Sequence, residues 1–185
     1  MVELLGERNS RFLIGETSVR QGISRADWPG RCQWVEGSPP ILLDGAQNAA
    51  SAAALRQTIE TLFPGRPVTL LFGASTGKDL EGIAQVLGPW ARRLILAQAR
   101  VPRAEPPQRI AQAFRPWHPD PLLLESVPAS LQQARESAGP EGLIVVTGSL
   151  FVVGEALKLL GRDGACAEQE TESRRSLQPQ AGSSR

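Results

Sequence analysis

Short apolar runs punctuate the central part of the chain: "ILL" at 41–43, "VTLLFGA" at 68–74, "RLILAQA" at 93–99 and "GLIVVTGS" at 142–149. Such runs, rich in Leu, Ile and Val, are the pattern of strands buried on both faces. Between them, apolar residues recur at helical spacing over about 48–62, 78–88, 106–115 and 128–137, and a last helical segment runs from Leu150 to Leu160. "LLLESV", from Leu122, adds a short strand. Upstream, "RCQWVEG" (31–37) alternates loosely and meets "ILLDGA" through the turn signal "GSPP", so the two predict a hairpin. Strand and helix alternating in this way predict an α/β fold whose sheet is mainly parallel and covered by helices on both faces, with the hairpin making it mixed.

The two ends read differently. Residues 1–30 form a helical lead-in around "TSVRQGIS" that stops at the breaker "WPG". Residues 31–162 carry the alternating pattern. Residues 163–185 lose all apolar periodicity and predict a disordered tail.

Composition narrows the function classes. The 185 residues suit one domain with its own core. With 20 basic and 19 acidic residues the net charge is +1, so there is no basic stripe for nucleic acid and no polybasic membrane anchor. No apolar run approaches the ~18–20 residues that span a bilayer, and the first residues lack a secretory pattern, which predicts a cytoplasmic protein. Cys32 and Cys166 stand far apart, and His118 is the single histidine. Reduced thiols and no metal site are therefore expected.

Candidate chemistry gathers where strands end. Ligands of open α/β sheets bind outside the carboxyl ends of the strands, and three such ends carry "DGAQN" (44–48), "GASTGKD" (73–79) and "TGS" (147–149). "GASTGKD" is close to a phosphate loop, but only three residues separate its glycines, and Asp79 occupies the place of the metal-binding hydroxyl. It reads as a strand-to-helix loop with Lys78 and Asp79 in the first helical turn. In "DGAQN", Asp44 either accepts hydrogen bonds from a ribose diol or caps a turn. Asn48 reads as an N-cap that leaves the first helical amides for a ligand or side chain. The tryptophans Trp28, Trp34, Trp90 and Trp117 read as packing residues, and His118 as a surface residue of a proline-rich loop.

Taken in order, "WPGR" (28–31), "DGAQN" (44–48), "FGASTGKD" (72–79), "PRAEPP" (102–107) and "GSLFVVGE" (148–155) resemble the C-terminal domain of folylpolyglutamate synthase and dihydrofolate synthase, within the Mur ligase superfamily. The resemblance implies a Rossmann-like α/β fold. It implies an ATP- and magnesium-dependent ligase that joins L-glutamate to the γ-carboxyl of a folate through an acyl phosphate. It further implies that Asp44, with Gln47 and Asn48 beside it, lies on the ATP ribose side, that Arg31 reaches the phosphates, and that Ser149 lies near the incoming glutamate. The metal ligands, the phosphate loop and most of the folate site are expected in an N-terminal ATPase domain of the same enzyme, which makes this chain inactive alone. Lys78, Asp79 and Arg103 match family positions without a role that chemistry assigns them. Two positions depart from the family: Gln47 replaces a histidine, and Gln33 an acid. The competing reading is a non-catalytic nucleotide-binding or interaction module.

Overall fold

The structure, a computed structural model, describes residues 15–26 and 28–161. The expected tail, Cys166 and the first fourteen residues lie outside them. Helix α1 (Glu16–Ser24) leads in and buries none of its residues. Then follow β1 (Gln33–Val35), β2 (Ile41–Leu43), α2 (Ala49–Leu62), β3 (Val68–Phe72), α3 (Leu80–Leu87), β4 (Arg93–Ala97), α4 (Pro107–Phe114), β5 (Leu122–Leu124), α5 (Val127–Ala138) and β6 (Leu143–Thr147). Helix α6 spans 150–161.

The six strands form one sheet in the order β1-β2-β6-β3-β4-β5. The β1–β2 hairpin is antiparallel, with Trp34 opposite Leu42, and every other pair is parallel. The mixed, mostly parallel sheet inferred from the sequence is the one observed.

Strand alternation divides the core. Leu42, Leu70, Phe72, Leu94, Leu96 and Val145 face α2, α3 and α4, where Leu55, Ile59, Ile83, Leu87, Ile110 and Phe114 meet them. Ile41, Leu43, Leu71, Ile95, Ile144 and Val146 face α5 and α6, through Val127, Leu131, Val152, Val153 and Ala156. The chain steps one way through β2, β3, β4 and β5, so its right-handed crossovers put α2, α3 and α4 on one face. The return from β5 to β6 puts α5 on the other. β6 therefore lies between two strands whose following helices cover the face opposite to its own. That is a topological switch point, where the strand-end loops diverge and leave a crevice.

Two sequence expectations change. Trp28 is 71% exposed rather than packed, because it precedes the hairpin and nothing described covers it. Trp34, Trp90 and Trp117 do pack against the core, Trp34 stacking on Phe63 at 4.7 Å. His118 is no free surface residue: it is half-buried, and its Nε2 lies 3.0 Å from the Gly88 carbonyl, which fixes the segment after α4 against the end of α3.

Candidate functional site

The loops after β2, β6 and β3 are laced together by main-chain bonds. Asp44 N–H donates to the Val146 carbonyl at 3.0 Å, one residue beyond the β2–β6 ladder. Gly148 N–H donates to the Ala46 carbonyl at 3.0 Å, and Gly73 N–H to that of Thr147 at 3.2 Å. Gly148 has φ +98, and a Cβ there would come within 2.5 Å of the Gly73 carbonyl oxygen and the Phe72 ring. Glycine is required there on both counts. The three polar strand ends picked out in the sequence thus meet at one place.

Asp44 closes this cluster. Its carboxylate is 9% exposed; Oδ1 accepts from Ala46 N–H at 2.8 Å and Oδ2 from Cys32 N–H at 2.9 Å. The Cys32 thiol lies 3.6 Å from the same Oδ2. Partial burial, then the charge and hydrogen bonding of Asp44, push the Cys32 thiol up from its ordinary value, while Arg31 pulls it down. The two alternatives for Asp44 are therefore not exclusive. It ties a turn and the loop before β1, yet Oδ1, with a single donor, keeps acceptor capacity.

Arg31 is exposed; its N–H donates to the Trp28 carbonyl at 3.2 Å, and among the described residues its side chain has no hydrogen-bond or ion-pair partner. Its Nη1 lies 3.5 Å from where a Gly45 Cβ would stand, and Leu150 closes over the same point, so a side chain at Gly45 would collide with it. Gly30 N–H donates to Gln33 Oε1 at 2.8 Å, so the glutamine that replaces the family acid still braces the "WPGR" turn.

Asn48 is the N-cap of α2: its Oδ1 accepts from Ser51 N–H at 2.8 Å, and Ser51 Oγ accepts from Asn48 N–H at 3.2 Å, a reciprocal capping box. The Asn48 carbonyl is thereby committed to Ser51. The Gln47 N–H also donates to Ser51 Oγ, at 3.0 Å, and its side chain has no partner among the described residues. Ser149 is 4% exposed; its Oγ accepts from Phe151 N–H at 3.2 Å and caps α6. Of the five sequence-assigned positions, Asp44, Gln47, Asn48 and Ser149 thus sit on the loops after β2 and β6, and Arg31, from the segment before β1, reaches the same place. Cys32, whose amide clamps Asp44, was not among them. The contact spans twelve residues and leaves no local signal.

The "GASTGKD" loop is a connector. Thr76 N–H donates to the Arg103 carbonyl and Glu105 N–H to that of Ala74, both at 2.9 Å, around a Ser75–Ala104 bridge. Through the Thr76 amide and the Ala74 carbonyl the loop is joined to the "PRAE" segment. Asp79 is the N-cap of α3, accepting from Gly82 N–H at 2.9 Å, one position earlier than expected. Lys78 has no partner among the described residues, and Arg103 lies 5.9 Å above the Phe151 ring. No group of three or more histidines, cysteines or acids that could hold a metal occurs among the described residues. No helix among them is long and apolar enough to cross a membrane.

Known proteins are similar to this chain in sequence and in fold. A probable bifunctional folylpolyglutamate synthase/dihydropteroate synthase of Haloferax volcanii is 30% identical over 150 residues, which are 80% of this chain and 18% of that protein. The dihydrofolate synthase/folylpolyglutamate synthase of Bacillus subtilis is 26% identical over 80% of this chain and 34% of its own length. The Mycobacterium tuberculosis folylpolyglutamate synthase, solved with ADP and AMPPCP, superposes with a TM-score of 0.73 at 25% identity, over 80% of this chain and 36% of that one. The chain spans a fifth to about a third of these proteins. Residues 30–150 match the family model described as Mur ligase, glutamate ligase domain, and the chain belongs to that family.

Proposed function

We propose that this chain is the ATP-closing part of a ligase that adds L-glutamate to the γ-carboxyl of a reduced folate, with dihydrofolate synthesis as a second reaction of the same site. The observation that carries the reading is the placement of an exposed guanidinium, Arg31, with no ion-pair partner among the described residues, beside the Asp44 turn at the switch point of the sheet. Asp44 offers its remaining acceptor capacity to a ribose diol, as acids do at this position of nucleotide-binding sheets. Arg31 neutralises phosphate oxygens through its planar fork of donors. Gln47 offers an amide that bonds without titrating near neutral pH. Ser149, at the start of α6, offers its hydroxyl and the positive end of the helix to a carboxylate of glutamate.

The residues here fit a nucleotide and do not fit a metal. Magnesium, which the family resemblance implies, finds no cluster of acids among the described residues; its ligands belong to the remaining part of the enzyme. What this part contributes is binding, orientation and exclusion of water around the transferred phosphoryl group, which accounts for much of phosphoryl-transfer catalysis.

Equilibrium dialysis of the full chain with ATP and with adenosine tests the reading. Arg31→Ala removes an exposed side chain without hydrogen-bond or ion-pair partners among the described residues, so the fold stays intact. It should weaken ATP severalfold and leave adenosine unchanged. Equal ATP binding by Arg31→Ala and the parent chain would remove the phosphate role.

A further inference from the structure

One cavity borders the Asp44 cluster and shares Leu150 with it. It is a groove of about 470 Å³ between α6, the loop after β4 and the start of α5, within the size range of small-molecule sites. Leu150 and Phe151, 47% and 42% exposed, form its mouth, and Val101 and Pro128 its opposite wall. Gly154 lies on the α6 side, and a Cβ there would meet nothing within 4 Å. Its charged groups are Arg100, Lys158 and Glu155. Glu155 Oε1 accepts from Arg100 N–H at 2.6 Å, which fastens the loop to α6 and occupies the one acid. The Arg100 and Lys158 side chains have no anionic partner among the described residues. Two exposed apolar side chains beside two cations and one acid form an amphipathic surface with a net positive rim.

We propose that this groove is a binding site for an anionic aromatic small molecule, its ring laid on Phe151 and Leu150 beside Gly154 and its acid group between Arg100 and Lys158. An aromatic ring matches the part-exposed Phe151 side chain, over which Arg103 lies at 5.9 Å, and the net positive charge favours an anion. The groove's charged residues, Arg100, Glu155 and Lys158, are distinct from Arg31 and Asp44, so Lys158→Glu and Arg31→Ala tell this site from the adjoining nucleotide site.

The probes are 1-naphthoate and its neutral counterpart 1-naphthalenemethanol, titrated into the full 185-residue chain by calorimetry and NMR. Naphthoate should saturate one site with a Kd of about 0.1–1 mM, and the neutral analogue should bind more weakly. Lys158→Glu should weaken naphthoate by about fivefold. Gly154→Leu should fill the groove and abolish binding with the melting temperature unchanged or raised, since leucine favours helix over glycine. Naphthoate that fails to saturate would overturn the site. So would undiminished binding to a folded Gly154→Leu chain, or a neutral analogue that binds as tightly.

Discussion

The Cys32 amide donates to Asp44 Oδ2 at 2.9 Å, so a residue before the first strand is held by the carboxylate that ends the second. Cys32 holds φ +42, a left-handed conformation unusual for a residue with a side chain, and the bond to Asp44 is what fixes it there. Ala46 N–H bonds to the other oxygen at 2.8 Å. Asp44→Ala therefore strands two amides at a site only 9% exposed. It should cost about 1.5–3 kcal/mol. Thermal denaturation should record a fall of roughly 5–10 °C. The same variant should also weaken ATP. Unchanged melting with weakened ATP would mean that the clamp contributes nothing to the fold.

Gly148→Ala should be the more damaging change. The methyl group meets the Gly73 carbonyl oxygen and the Phe72 ring, and φ +98 is strained for alanine. A loss of about 3 kcal/mol or more is expected, read as a lower midpoint in urea with little change in slope. A midpoint within error of the parent would show that the β6 loop relaxes without strain.

The Cys32 thiol should react slowly. Its proton is held by partial burial first and by the neighbouring Asp44 carboxylate second. In a Cys166→Ser background, alkylation by iodoacetamide near pH 8 should be slower than that of a free cysteine peptide, because less thiolate is present. Asp44→Asn should speed it by removing the negative charge. The linkage follows in sign. The folded state holds this proton more tightly than the unfolded one, so its contribution is complete below the unfolded thiol value. It is lost as pH rises above that value through the folded one. A Cys32 that alkylates faster than the peptide would contradict this geometry.

Polyglutamate formation should need more than this chain. With folate, radiolabelled glutamate, ATP and magnesium, the purified chain should give background, since a phosphoryl-transfer site must hold γ-phosphate, metal and acceptor together. Adding the remaining part of a matching enzyme in trans should raise turnover. Product made by the chain alone, and abolished by Asp44→Ala, would mean that its own residues complete the site.

The strands and helices were legible because their patterns are local. Continuous apolar runs at 68–72 and 143–147 can only be strands covered on both sides, and the observed burial of all ten residues agrees. Asn48 was legible as a cap because an N-cap acts three residues away. The carboxyl-edge placement of Asp44 and Ser149 followed from strand polarity alone. Asp79 was misplaced by one residue, since a cap and a first-turn acid differ only in backbone dihedral angles. His118 was misread because its partner is the Gly88 carbonyl thirty residues away.

The sequence by itself determined the alternation of elements, the hairpin, the family and the set of polar strand ends that hold the candidate site residues, because each depends on period, polarity or short-range turn chemistry. Only the tertiary structure decided that β6 returns between β2 and β3 and thereby brings "TGS" against "DGAQN". It also decided that Asp44 is a clamp as well as a candidate ligand group. Those outcomes depend on which strands pair and on contacts between distant residues. A hydrogen bond from Cys32 to Asp44 exists only once the hairpin has folded back, and no periodicity in the chain encodes it.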